Sequence, residues 1–308
     1  MPEGMVIRST GSWYVVSSSD GLAIHCRLRG QYRLKGQRYT NPIAVGDIVE
    51  YEMELDRDTA VILAVNDRTN FIIRKATRLS SSAHIIAANL DQAILVATLV
   101  QPRTSTGFID RFLATAEAYH IQAVLVFNKI DLLDEQQRGE LDTLIKVYEN
   151  IGYQVLETSA KLSLNINDFR KLIEHKISLL SGHSGVGKSA LVNVVDPTLN
   201  LRTGEISAYH QKGKHTTTFA EMHPLASGGW IVDTPGIKEF GLYDFEAETL
   251  AQRFPEMRSL MHECRFANCT HMHEPGCAIK DAVENGSIAG FRYKNYQNMM
   301  LNDFTNDD

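Results

Sequence analysis

The sequence is poor in the features that mark secreted, membrane or disordered chains. It has four cysteines and eight prolines in 308 residues, too few for a disulfide scaffold or a proline-rich linker protein. No apolar run approaches the roughly 20 residues of a membrane helix. The start, MPEGMVIRSTGSWYVV, lacks the basic stretch and apolar core of a secretory signal. A cytoplasmic chain with no membrane partner is therefore expected; a monomer is expected too, though nothing in the composition fixes it. Positive charge is not in excess: 31 Lys and Arg face 37 Asp and Glu, for a net charge of −6. Any nucleic acid must be held by local patches and not by the field of the whole molecule. What is present is an ordinary globular composition, 44% hydrophobic and 22% charged, at a length that suits two or three domains.

Residues 1–70 read as all-β. Short β-rich runs alternate with turn signals: SWYVVSS, SDG, LAIHCRLRG, NPIAVGDIVEYEMEL, TAVILAV. Five strands in this length fit a small barrel of the OB type. Arg27, Arg29, Arg33, Lys35 and Arg38 lie here without an intervening acid, interleaved with Tyr32 and Tyr39. Such a patch can track a nucleic-acid backbone and stack bases, or simply form a solvated strand face. Cys26 stands alone on a predicted strand and reads as a small core residue.

FIIRKATRLSSSAHII, residues 71–86, reads as a linker. Beyond it strand and helix patterns alternate. ANLDQAILVATLV, IQAVLVFNKIDLL, YQVLETSAK and ISLLSG read as strands; FIDRFLATAEAYH, EQQRGELDTLIKVYENIG and NDFRKLIEHK read as helices. This alternation predicts a mostly parallel sheet flanked by helices over 71–240. From 241 to 308 only helical patterns surround a cysteine cluster.

The run SGHSGVGKSALVN carries Gly182-x-x-x-x-Gly187-Lys188-Ser189, a full phosphate-loop pattern between an apolar strand and a helix. Its backbone, Gly182, His183, Ser184, Gly185, Val186 and Gly187 through Ala190, would cradle phosphates at a helix N-terminus. Lys188 would bridge the outer phosphates, and Ser189 would hold Mg²⁺.

Asn128-Lys129-Ile130-Asp131 closes a buried strand 28 residues before Ser159-Ala160-Lys161. The Asp131 carboxylate can accept from the N1–H and amino group of guanine. Adenine offers neither donor there, a mismatch worth roughly 10⁴ in discrimination. Lys129 can lie along the base, Asn128 can tie its loop to the phosphate loop, and the Ser-Ala-Lys backbone can donate to the guanine oxygen. Downstream, WIVDTPG ends a strand in Asp233-x-x-Gly236. Asp233 would hold the Mg²⁺ shell, and the Gly236 N–H would sense the γ-phosphate. In Lys212-Gly213-Lys214-His215-Thr216-Thr217-Thr218 one threonine should ligate Mg²⁺; Thr217 is favoured, with the register open. The parts of a GTPase are all here in rotated order. Loops at the carboxyl ends of strands converge whatever the chain order, so permutation preserves the site.

Cys264-x4-Cys269-x-His271-x5-Cys277 supplies three thiolates and an imidazole, a closed Cys₃His zinc set. His262 and His273 are spare candidates.

The rotated order, with GHSGVGKSALVN, GKHTTT, DTPGIKEF and a barrel ahead, closely resembles the circularly permuted ribosome-assembly GTPases of bacteria, the RsgA (YjeQ/YloQ) family. The resemblance spans essentially the whole chain. It implies three domains: OB-like barrel 1–70, permuted GTPase 71–240, helical zinc unit 241–308. It selects His271 as the fourth zinc ligand. It implies binding to the small (30S) ribosomal subunit and its rRNA late in assembly, with subunit-stimulated hydrolysis of GTP to GDP driving release. Where many GTPases place a water-orienting Gln, this chain has Ile237, so unaided hydrolysis should be slow. His215, the nearest substitute, matches the family's proposed catalytic histidine. Arg292, Tyr293, Lys294 and Tyr296 form either an RNA contact or a solvated helix face. Two rivals are an RNA-binding assembly chaperone that uses GTP only as a conformational ligand, and an ATP-dependent phosphate-loop enzyme.

Overall fold

The computed structural model describes residues 1–28, 41–55, 57–75, 83–201, 220–233 and 247–301. Two compact units are built from separated stretches: one from 1–93, 167–181 and 188–243, the other from 94–166, 182–187 and 244–308.

The first unit opens with five strands: β1 (Glu3–Ser9), β2 (Trp13–Ser18), β3 (Ala23–Leu28), β4 (Ile48–Met53) and β5 (Thr59–Val65). Their order is β1-β2-β3-β5-β4, and β4 returns to β1 with Met5 opposite Ile48, closing a barrel. β3 and β5 run parallel; the other barrel pairs are antiparallel. Period-two alternation turns Tyr14 and Val16 of β2 inward with Val6, Cys26, Val49 and Ile62. Cys26 is fully buried there, and burial pushes its thiol up to about 11. Of the basic patch only Arg27 is described; it is exposed and pairs with Glu54. Arg29, Tyr32, Arg33, Lys35, Arg38 and Tyr39 lie outside the described residues.

Residues 71–86 are not a plain linker. β6 (Phe71–Lys75) and β7 (Ala83–Ala88) pair antiparallel. Ile72, Ile73, Ile85 and Ala87 are buried, so these apolar, largely β-branched runs have surface to hide, and pairing satisfies their backbone. Buried Asp47 accepts from the Arg68 Nε at 2.6 Å, the Arg68 Nη2 at 2.7 Å and the Ala44 N–H at 2.8 Å. That bidentate pair fixes the strand-free segment entering β4.

The same unit holds β11 (Ile177–Ser181), β12 (Glu221–Pro224) and β13 (Trp230–Asp233), in the order β11-β13-β12-β1. β11 and β13 are parallel, and β12 is antiparallel to β13. Arg8 of β1 faces Glu221 of β12, and the two side chains form an ion pair.

In the second unit β8 (Gln92–Ala97), β9 (Gln122–Phe127) and β10 (Gln154–Glu157) lie in the order β10-β9-β8, with β9 and β10 parallel. All six β8 residues are buried, as a strand covered on both faces requires. Helix α1 (Thr106–Ala118) starts at Ser105, whose Oγ accepts from the Phe108 N–H. Helix α2 (Glu135–Ile151) starts at an Asp134/Gln137 capping box and stops at Gly152, whose φ of 109° needs no Cβ. Helix α3 (Ile166–Ile173) follows β10 and α4 (Lys188–Val195) follows β11; α3 from Asn167 onward and the whole of α4 belong to the first unit. After β13 the described elements are helices joined by loops, among them α5 (Ala247–Leu250), α6 (Pro255–Arg258), α7 (Ala278–Glu284) and α8 (Gly290–Met300). Phe254, Met257, Ile279, Ile288 and Tyr296 pack with Ala114 of α1 in one core. No helix among the described residues is long and apolar enough to cross a membrane.

Arg292 and Tyr296 correct the expectation for α8. They are 1% and 0% exposed, so neither is an RNA contact nor part of a solvated face; only Lys294 of that group is exposed. A guanidinium placed every fourth residue from an aromatic follows helical spacing, and here that face is the inner one.

Candidate nucleotide and metal sites

Asn128 directly follows β9 and is 4% exposed. Its Nδ2 donates to the Val186 carbonyl at 2.8 Å. Its Oδ1 accepts from the Ala160 N–H and the Thr158 Oγ1, both at 3.2 Å. One amide thus ties three loops: its own, the phosphate loop and the Ser-Ala-Lys turn. Lys129 takes a left-handed conformation, φ 63°, and its Nζ donates to the Gln101 carbonyl at 2.6 Å. The Ser159 Oγ donates to the Asp131 Oδ1 at 2.5 Å and accepts from the Leu162 N–H at 3.1 Å. The carboxylate is therefore held by one oxygen, with capacity left on the other for a ligand donor. Lys161 is exposed.

The phosphate loop runs with positive φ at Gly182 (137°), Gly185 (84°) and Gly187 (100°), values that L side chains seldom adopt. Space is also short. A Cβ at Gly182 would sit 2.2 Å from the Val96 carbonyl oxygen, and one at Gly187 would sit 2.3 Å from the Asn128 Nδ2. Gly187 thus makes room for the amide that binds Val186. Ser184 and Gly185 are exposed, while Val186 is buried and plugs the turn. His183 rests on Phe108 of α1, with ring centroids 4.0 Å apart. Sequence reading gave Phe108 no role; its aromatic ring at the start of α1 was the available signal.

Lys188 and Ser189 begin α4 and are 8% and 7% exposed; Ala190 follows in the same turn. A helix that starts on a Gly-rich turn points its free N–H groups outward along the axis, where an anion is favoured. Asp233 ends β13 opposite Glu221. His215, Thr217, Gly236 and Ile237 lie outside the described residues.

Cys264, Cys269, His271 and Cys277 offer ligand atoms within 4.8 Å of one another. The His271 Nδ1 is 3.6 Å from the Cys264 Sγ and 3.4 Å from the Cys277 Sγ. A tetrahedron with ordinary Zn–S and Zn–N bonds has an S···N edge of about 3.6 Å, so the residues fit zinc. His262 and His273 do not join the cluster among the described residues. None of the cysteines is in a disulfide. Burial pushes the His271 imidazole down, which keeps it neutral and able to ligate. Burial pushes the Cys269 thiol up, so a divalent cation is what would hold it as thiolate. The loop itself is braced. Glu274 accepts from the Thr270, Met272 and His273 N–H groups and from the Thr270 Oγ1. Tyr293 and Tyr296 donate to the His271 and Thr270 carbonyls at 2.6 and 2.7 Å.

Comparison with known proteins agrees with this set of parts. The family described as RsgA GTPase matches residues 65–243, and that described as RsgA N-terminal domain matches residues 3–62. The small ribosomal subunit biogenesis GTPase RsgA of Phocaeicola vulgatus is 51% identical over 298 residues, which cover 97% of this chain and 96% of that protein. Its counterpart in Flavobacterium psychrophilum is 47% identical over 302 residues, covering 97% and 93%. Among solved structures, YjeQ from Thermotoga maritima superposes with a TM-score of 0.79 at 35% identity over 99% of both chains. YloQ, a circularly permuted GTPase, gives 0.76 at 32% identity over 98% of this chain and 95% of that one. With its barrel, rotated GTPase motifs and Cys₃His cluster in one chain, the protein belongs to the RsgA family of circularly permuted GTPases.

Proposed function

We propose that this protein binds GTP with Mg²⁺, hydrolyses it to GDP and phosphate, and serves small-subunit ribosome biogenesis. The subunit stimulates hydrolysis, and hydrolysis releases the protein. The observation that carries the reading is the Asn128 amide, which joins the guanine-side loop to Val186 of the phosphate loop. A base-reading carboxylate and a phosphate cradle held in one register specify a guanosine triphosphate, and permutation of the chain leaves that register intact.

Each residue has one task. Asp131, steadied by Ser159, accepts from guanine; the Ala160 and Lys161 backbone faces the guanine oxygen; Lys129 lines the base. The N–H groups of residues 182–190 bind the phosphates, with Lys188 neutralising the outer ones. Ser189, Thr217 and Asp233 would hold Mg²⁺, which neutralises charge developing on the β- and γ-oxygens. Gly236 reads the γ-phosphate. His215 orients the attacking water once the subunit orders its segment, a role that Ile237 cannot fill. Zinc would be held by Cys264, Cys269, His271 and Cys277 as a structural ion with no open position. The barrel and the zinc unit hold rRNA. The protein acts as a cytoplasmic monomer.

Phosphate release from GTP and ATP, with and without purified small subunits, tests the reading. Slow GTP-only turnover that rises strongly with subunits is expected, and His215→Ala should abolish the rise while leaving GTP binding intact. Equal turnover of ATP, or a rate indifferent to subunits, would overturn it.

A further inference from the structure

A buried ion cluster lies away from the nucleotide contacts. Asp110 of α1 is 0% exposed and Arg292 of α8 is 1% exposed. Asp110 accepts from the Arg292 Nη1 at 2.7 Å, the Tyr148 OH at 2.7 Å and the Asn295 Nδ2 at 2.6 Å. Arg292 also binds Glu256 through Nε at 2.7 Å and Nη2 at 3.0 Å, and its guanidinium carbon lies 4.6 Å from the Phe254 ring centroid. Well-packed apolar residues stabilise a core as well as a buried ion cluster does. What the cluster adds is direction: three donors on one carboxylate allow a single placement of α8 against α1.

Both ends of this lock touch functional loops. Two residues before Asp110, on the same helix, Phe108 supports His183 of the phosphate loop. Next to Arg292, Tyr293 donates to the His271 carbonyl in the cysteine loop, and Tyr296 donates to Thr270. Two rigid helices and one buried ion cluster thus connect the phosphate loop with the metal loop.

We infer that the Phe108–Asp110–Arg292 chain couples nucleotide occupancy of the phosphate loop to the grip of the cysteine loop on its metal. The inference rests on the nucleotide reading given above. A nucleotide that orders residues 182–187 fixes His183, hence Phe108 and the seating of α1, and so the α8 tyrosines that brace the metal loop. Linkage makes the effect reciprocal: the metal tightens nucleotide binding by the same factor. Phe108 and Arg292 act as positioning residues in this scheme; neither touches a reacting atom.

The test uses full-length, zinc-loaded protein. Zinc loss to a chromogenic chelator is timed with and without a non-hydrolysable GTP analogue, and binding of the analogue is titrated by fluorescence on the same samples. For the unaltered chain the analogue should slow zinc loss by about 5-fold or more, the lower end of usual coupling energies. Phe108→Leu keeps apolar volume but removes the ring contact with His183. It should bring the ratio to within about 2-fold of unity while the protein still binds analogue and zinc. Arg292→Lys, which cannot make the forked contact with Glu256, should do the same if it folds; Phe108→Leu decides the matter if it does not. Analogue binding with unchanged zinc loss, or a full effect retained in Phe108→Leu, overturns the coupling alone. Failure of the unaltered chain to bind the analogue overturns the nucleotide reading and this inference with it.

Discussion

The Asn128 amide donates to the Val186 carbonyl across a separation of 58 residues, at 2.8 Å and out of contact with water. This one bond holds the guanine-side loop and the phosphate loop in register. Asn128→Ala would leave the Val186 carbonyl without its donor. GTP affinity should fall by about 2 kcal/mol, roughly 30-fold, in a fluorescence titration. Gly187→Ala should be worse for binding, because its methyl would meet the same amide at 2.3 Å.

The proposed base choice rests on Asp131. Asp131→Asn replaces one acceptor by a donor facing the guanine amino group. Affinity for GTP should drop by a factor on the order of 10⁴. Xanthosine triphosphate, which carries a carbonyl where guanine carries that amine, should bind the variant better than GTP does. A competition titration with both nucleotides checks the exchange; an unchanged preference for GTP would remove Asp131 from the base site.

Removing the metal should loosen the whole C-terminal core, since Cys277 is packed with Phe254, Ile279 and Tyr296. Cys277→Ser, or chelation of the intact protein, should lower the melting temperature by about 5 °C or more in calorimetry. Cys26→Ser should leave zinc content unchanged, because Cys26 is packed in the barrel core and is not one of the clustered ligand residues.

Arg292→Met should cost roughly 3–5 kcal/mol in chemical denaturation, because it leaves the fully buried Asp110 without its cationic partner and the partly buried Glu256 unpaired. Lys294→Ala, at the exposed position of the same helix, should stay within about 0.5 kcal/mol of the parent.

Asp196 makes part of the stability pH-dependent. It accepts from the Ala226 N–H at 2.7 Å and from the Thr198 N–H and Oγ1, and these bonds hold its carboxyl below the usual range. The folded pKa is thus lower than the unfolded one. The contribution is fully present above the unfolded pKa, near 4, and is lost as pH falls through the folded value. Asp196→Asn, which replaces one of two accepting oxygens by a donor, should therefore be less stable than the parent at pH 7 by about 1 kcal/mol, and the gap should shrink towards pH 3 in urea melts.

Legibility followed the range of the interaction. Barrel strands β2 to β5, the helix stop at Gly152 and the buried β8 run were readable because each is set by neighbouring side chains: period two, a left-handed cap, an apolar stretch; β1 over Glu3–Ser9 lay outside the runs read as strands. The hairpin over 71–88 was missed because its two strands pair around intervening polar residues, and pairing is not a local property. In the candidate site the glycines and Lys188 were readable from spacing. The support of His183 by Phe108 was not, since 75 positions separate them.

The sequence by itself determined the chemistry: a rotated set of guanine and phosphate motifs, and three cysteines with a histidine at ligand spacing. Each motif depends on residue types a few positions apart and is legible in a short window, whereas the fold brings the separate motifs together. Only the tertiary structure decided that Arg292 turns inward to Asp110 across 182 positions, and that Phe108 lies against His183. Those outcomes depend on which helix faces are buried against each other, and burial belongs to the packed molecule and not to any window of its sequence.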